Sequence, residues 1–371
     1  MKKIKNNILF VFYIFLLIYT NVLIINDTFF NYIYRSANFS DLQWSPSVLF
    51  LENIDVYKSF FENNLRDLIH GSGFPNYSTS SIYIHLIISK MSFENANKFW
   101  FILFTFLMII LYKILKKKTE LKDIEIFLIL SFFIFSKPYM ILLSSAQFSL
   151  ISFFSFFLYF FYKNKKKFIG FFLISVKYSF FPIILFYDII KHKSIKFTLY
   201  TLILSLIFVL HYSFYFESSF FNNLIAPLLI AKETTASGVL DLQTLMGNHP
   251  KNDFIRYIIL IFIGVSGLLI ILNYTKRNTI FDLSICSLLT LLIFKHLYYD
   301  FVFLLPVLIY ATLHTKKIAK YIIFLIVFYF WFIYLNNFTL SFLYSKIFML
   351  VNFIFINILL GIVVITNLKK I

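Results

Sequence analysis

The stretch 163–196, KNKKKFIGFFLISVKYSFFPIILFYDIIKHKSIK, decides how the rest of the chain is read. Residues Phe168 to Tyr187 form a mainly apolar run whose one charged residue is Lys177, yet lysines bracket it on both sides. Basic residues flanking an apolar run mark the cytoplasmic face. About 20 residues can cross a bilayer once, while two full crossings need about 40. A run of this length with both ends on one face is therefore expected to turn back. Pro182 interrupts the helical ladder, which is tolerated at membrane depth only where protein or a wet cavity satisfies the backbone. Two half-helices meeting near Lys177–Pro182 are the expectation. The plain alternative is one ordinary span with a weak charge signal after it.

Working outward, the same pattern of apolar runs and basic turns covers the chain. Hydrophobic residues make up 60% and charged residues only 14%, against about 25% charged in soluble domains, so a soluble globular fold is excluded. One cysteine, Cys286, excludes a disulfide framework. Ten spans are expected at Ile8–Ile25, Phe99–Ile114, Ile126–Phe135, Phe148–Tyr162, Phe197–Phe216, Tyr257–Tyr274, Ile280–Phe294, Phe301–Leu313, Tyr321–Tyr334 and Ile347–Thr366. Ile8–Ile25 is read as an uncleaved anchor, because no small-residue cleavage site follows it. External loops are expected at about 26–98 and 217–256, with residues 1–371 forming a single multi-pass domain.

The net charge of +17 supports one orientation. Seven segments, from Lys2–Lys5 to Lys369–Lys370, are read as inside, and they hold 22 of the 34 basic residues but 5 of the 17 acids. The remaining 12 bases and 12 acids cancel, so the whole excess falls on one face. That is the positive-inside rule rather than a nucleic-acid patch. A cell-membrane protein with both termini cytoplasmic, contacting membrane lipid and no nucleic acid, is the expectation.

Candidate chemistry gathers in the first external loop and in three later motifs. The loop carries Asp41, Asp55, Tyr57, Arg66 and Pro75-Asn76-Tyr77, and its Ser81–Ser89 stretch reads as a short interfacial helix. Ser145-Ala146-Gln147-Phe148-Ser149 opens a span. Phe168-Ile169-Gly170 leads to Val176-Lys177-Tyr178 and Pro182, and Lys295-His296-Leu297-Tyr298-Tyr299-Asp300 precedes Pro306. Together these resemble glycosyltransferase family 87, the polyprenyl-phosphate-mannose-dependent α-1,2-mannosyltransferases of the GT-C superfamily. The sequence departs from that pattern at Ala146, where Gly is usual, and at Tyr178, where Pro often follows the Lys.

The resemblance implies an all-α, polytopic, GT-C-like membrane protein with a large first external loop. It also implies transfer of a hexose, in particular mannose, from a polyprenyl-phosphate donor to a lipid-linked or envelope glycan on the non-cytoplasmic face. The attacking hydroxyl needs a general base, and Asp41 matches the acid that GT-C enzymes carry in this loop. Asp55 is the alternative, although its place beside Tyr57 in a turn favours a structural use. The leaving phosphate needs cations. Lys177 lies within an apolar run, where an ionisable group marks a site by default, with snorkelling as its plain alternative. Arg66 and Arg256 fall on the outer side and offer the bidentate fork that Lys lacks. Gln147, His296 and Tyr57 are substrate-binding candidates, His296 together with Tyr298 and Asp300. No metal or other cofactor is expected. A transporter or flippase of lipid-linked sugars, or a polysaccharide polymerase, are the alternatives.

Overall fold

The computed structural model describes residues 2–30, 44–69, 74–144, 146–193, 195–234, 253–294, 296–333 and 346–368. These residues are helical, with no strand among them. The first helix, α1 (Lys2–Phe30), is followed by α2 (Trp44–Leu51), α3 (Val56–Phe61) and α4 (Ser80–Ser89). Then come α5 (Phe93–Lys118), α6 (Asp123–Ile134), α7 (Lys137–Ser144), α8 (Ser149–Phe161), α9 (Asn164–Ser175) and α10 (Phe181–His192). The second half holds α11 (Lys196–Tyr215), α12 (Phe220–Thr234), α13 (Asp253–Tyr274) and α14 (Thr279–Ile293). A 3-10 segment, Tyr298–Leu304, runs into α15 (Leu305–His314), and α16 (Lys317–Phe328) continues as a π-helical turn, Tyr329–Ile333, before α17 (Lys346–Ile365).

A helix stands at each of the ten expected spans, but many are short. Helices α8, α14, α15 and α16 have 13, 15, 10 and 12 residues. At 1.5 Å per residue they reach about 15–23 Å, less than a hydrocarbon core of about 30 Å. Among the described residues four helices are long and apolar enough to cross alone: Phe93–Lys118, Lys196–Tyr215, Tyr257–Tyr274 and Ile347–Ile365. Helices α6 and α7, bent by 61° about Ser136, make a possible fifth. Pro138 lies in the first turn of α7, where a missing N–H costs no helical bond.

The expected turn-back is present. Lys167 in the first half of α9 reaches Asp188 near the end of α10 at 2.9 Å, so the two basic ends lie side by side. Phe171 and Phe181 meet at 5.3 Å between the arms. Each arm has 12 residues, about 18 Å. The tip is Val176–Phe180. Pro182 stands in the first turn of α10, so it starts the second arm rather than kinking a continuous helix.

The described residues of the segment expected to be the first external loop form a folded cap. Asp55 is the N-cap of α3 and accepts from the N–H groups of Tyr57 and Lys58, at 3.0 and 3.1 Å. Tyr212 of α11 donates its hydroxyl to the same carboxylate at 2.8 Å and accepts from the Val56 N–H at 3.0 Å. The structural use of Asp55 thus holds. Leu49, Phe50, Val56, Leu65 and Ile82 form a small core with Ala226 and Ile230 of α12. The expected second external loop therefore begins as a helix, and its residues 235–252 lie outside those described. Helix α4 covers the Ser81–Ser89 stretch, with His85 buried rather than facing outward.

Close approach of α8 and α9 rests on one glycine. A Cβ at Gly170 would lie 2.7 Å from the Ser155 carbonyl oxygen and 2.8 Å from the Tyr159 nitrogen. These are backbone atoms that cannot rotate away. Gly170→Ala is therefore expected to lower the thermal stability of the purified chain by about 1–3 kcal/mol. Gly361 in α17 has nothing within 4 Å of the same position, so Gly361→Ala should be neutral or stabilising by up to about 1 kcal/mol. Equal effects of the two changes would contradict the α8–α9 packing.

Candidate functional site

The hairpin tip carries the most concentrated buried polar chemistry outside the hairpin's open end. Lys177 Nζ contacts both oxygens of Asp300, at 3.0 and 3.1 Å, and donates to Ser149 Oγ at 2.5 Å. It also lies 4.5 Å from the Phe180 ring centroid and 5.4 Å from that of Tyr299. The Lys177 side chain is 11% exposed and that of Asp300 1%. Lys177 is thus turned inward and paired, and it does not snorkel to an interface.

Three chain breaks meet at this pair. The first is the tip itself. The second is the turn before α8, where Ala146 has φ 48°. A left-handed φ is costly for a residue with a Cβ and free for Gly, so the Gly usual in the resembled family fits this position better than Ala. The third is the link from α14 to the 3-10 segment, where the Leu297 N–H points to Asp300 Oδ2 at 3.4 Å. His296 lies in that link, fully buried. Its Nδ1 faces Asp300 Oδ2 at 3.0 Å and its Nε2 faces the Thr290 carbonyl oxygen at 3.0 Å. Phe180 stacks against His296 at 4.8 Å and Phe303 at 4.4 Å, closing the apolar side.

The cap roofs the tip. The Ser78 N–H donates to the Val176 carbonyl at 3.1 Å, and the Tyr77 ring packs 5.8 Å from Phe148. Tyr57 donates its hydroxyl to Thr79 Oγ1 at 3.0 Å. Burial is the main reason its phenol is held above the usual range, so it remains a donor. His85 of α4 stacks between Trp100 and Phe148, and its Nδ1–H donates to the Ser81 carbonyl at 2.7 Å.

Of the residues singled out in the sequence, the structure gathers Lys177, His296 and, in the turn two residues before Ser149, Gln147. Tyr57 stands in the roof. Arg66 is exposed on the turn Leu65–Asp67, and no described contact joins it to the tip. Arg256 begins α13, but its side chain lies outside the described residues, as do Asp41 and Lys295 altogether. Ser149 as a Lys177 partner escaped the sequence reading, which used it only to open a span. Asp300 was singled out beside His296, but its pairing with Lys177 was not legible across 123 positions. Among the described residues no three His, Cys, Asp or Glu lie together as metal ligands.

Two outcomes follow. Removing one member of a buried pair strands the other's charge, at a cost of about 3–5 kcal/mol. Lys177→Met and Asp300→Asn should each destabilise the purified chain on that scale, and the two together should cost well under the sum. Additive losses in that cycle would show that the two do not interact. Burial pushes the His85 imidazole down to about 4 from 6.5. A depressed histidine contributes stability above pH 6.5 that is lost as pH falls towards 4. Protection factors in α4, corrected for the pH dependence of intrinsic amide exchange, should therefore fall across that window, and His85→Phe should flatten the dependence. An unchanged profile in the variant would remove His85 as its source.

Compared with known proteins, the chain matches no family model, no curated protein and no solved structure.

Proposed function

We propose that the protein is a GT-C-type membrane glycosyltransferase that moves a hexose, in particular mannose, from a polyprenyl-phosphate donor to a lipid-linked or envelope glycan on the non-cytoplasmic face. In this reading the chain crosses the membrane about ten times with both termini cytoplasmic. The observation that carries it is the cation at the hairpin tip, buried beneath a folded cap and held by one hydroxyl and by one carboxylate that also faces an imidazole. His296 faces Asp300 Oδ2 through Nδ1 and the Thr290 carbonyl through Nε2, and so helps to fix the carboxylate that Lys177 meets. A buried ammonium held in this way is the cation that a leaving phosphate needs.

The reaction asks for a division of labour. The acceptor hydroxyl attacks the anomeric carbon and gives its proton to Asp41. The bond from that carbon to the phosphate oxygen breaks, and its electron pair stays with the polyprenyl phosphate, whose growing charge faces Lys177. In this reading Tyr57 and Gln147 orient sugar hydroxyls. A second reading, transport of a lipid-linked sugar, is favoured by the same buried ion pair lying among interrupted helices, where transporters bind their substrates.

Membranes containing the full chain, incubated with radiolabelled polyprenyl-phosphate hexoses, separate these readings. A labelled glycolipid product that falls about 10²–10⁴-fold in Asp41→Asn, with donor retention unchanged, is the expected result. Lys177→Arg should keep part of the donor affinity that Lys177→Met loses. Movement of the donor across proteoliposomes with no product would replace the transferase by the transporter.

A further inference from the structure

The open end of the hairpin is a second polar centre, built from different residues. Two carboxylates are sunk there, Asp188 at 2% and Asp282 at 0% exposure. Asp188 accepts from Tyr159 Oη at 2.5 Å and from Lys167 Nζ at 2.9 Å, with His192 Nε2 at 3.8 Å. Asp282, in the first turn of α14, accepts from Tyr187 Oη and Lys191 Nζ, both at 2.6 Å, and from Arg277 Nε at 3.3 Å. The two tyrosine rings meet edge to face at 6.2 Å, so both halves form one cluster.

Acids and cations are sorted by depth. The carboxylates are consumed from within, while Lys191, Arg277 and His192 are 33%, 28% and 40% exposed. Lys167, Lys191 and Arg277 outweigh the two acids by one charge, and exposed Lys163, Lys165, Lys166 and Lys193 lie within a few positions of Lys167 and Lys191 in the sequence. Burial first, and then the Lys167 charge, hold the His192 imidazole below the usual range although Asp188 stands within reach. Arg277 presents five N–H donors in a fork; Nε and Nη2 approach Asp282, and the guanidinium also meets Tyr187. An ammonium and a guanidinium held at fixed spacing by buried acids suit a phosphate better than mobile surface lysines do.

Beside this centre lies an apolar track. Phe168 of α9 packs on Phe197 and Tyr200 of α11 at 6.0 and 6.1 Å, and Lys167 Nζ lies 5.3 Å from the Phe197 ring. From there Leu199, Leu202, Ile203, Leu206, Ile207 and Leu210 stand exposed at helical spacing along α11. Basic pockets between helices at a membrane face bind anionic headgroups, and this pocket continues into a surface suited to acyl chains. The geometry points to a binding site for a phosphate-bearing anionic lipid, with its headgroup on Lys167, Lys191, His192 and Arg277 and its chains along α11. This site is independent of the transfer reaction and stands if that reading fails.

The test uses the purified full chain in detergent, loaded with phosphatidylglycerol or phosphatidylcholine and examined by native mass spectrometry. Phosphatidylglycerol should be retained in preference. Arg277→Gln should weaken that retention about fivefold, since Asp282 keeps Lys191 and Tyr187 and the fold is spared. Arg277→Lys should retain most of it, and Lys117→Gln, an exposed lysine on α5, should change nothing. Equal retention of the two lipids, or an unchanged preference in Arg277→Gln, would overturn the site. Displacement of the lipid by equimolar soluble glycerol phosphate would show that the chains add nothing, and would overturn the lipid assignment in favour of a free phosphate.

Discussion

A buried ammonium must have a counter-charge, and the contact between Lys177 and Asp300 is the constraint around which the centre of this molecule is arranged. Desolvating either group alone costs several kcal/mol, and only a close, well hydrogen-bonded partner offsets it. That requirement fixes where the hairpin tip can stop. It must meet the 3-10 segment that carries Asp300 and the first turn of α8 that carries Ser149. The tip in turn supplies the Val176 carbonyl on which the cap rests. Four separate parts of the chain are thus located by one ion pair and its immediate hydrogen bonds.

The opposite end of the hairpin meets the same problem with a different answer. There the acids are the buried partners and the cations reach outward. At the tip both signs are buried, and the surrounding surface is aromatic: Phe180, Tyr299 and Phe303. An outward-facing surplus suits a phosphate arriving from an interface. An inward pair suits a site that exchanges one anion for another, because a phosphate can take the place of Asp300 with no change in the sign of the charge that Lys177 meets. The close contact of α8 with Gly170 holds the first arm rigid between the two ends.

Much of this was legible in the sequence, and the reasons are physical. Charge on both flanks of Phe168–Tyr187 required a turn-back, because lysines seek one face whatever the apolar run does. Asp55 beside Tyr57 read as a turn residue and is an N-cap. The helix positions followed from hydropathy, but their lengths did not: hydropathy measures where a residue lies, while a helix ends where its backbone finds other partners. The bend between α6 and α7 and the short α8 and α15 are of that kind. The partner of Lys177 was hidden for a different reason. A contact across 123 positions leaves no local period or spacing. The outward placement of arginines was a weak guide, since Arg66 sits exposed on a cap turn.

Interrupted helices explain why the candidate site is where it is. Each helix end leaves backbone groups without intrahelical partners, and in an apolar interior these must be satisfied locally. Asp300 does so for the Leu297 N–H and the Ser78 N–H for Val176, while His296 Nε2 faces the Thr290 carbonyl, which also accepts from the Phe294 N–H at the end of α14. The Gln147 N–H bonds the Leu142 carbonyl across the turn that follows α7. Asp300, which closes one of these ends, is therefore also the group that holds Lys177 in place. A fold of long, uninterrupted helices would need no such group and would have no reason to bury polar groups at this depth. Polar chemistry and broken helices require each other here, which is why the tip, rather than any surface cluster of charge, carries the functional reading.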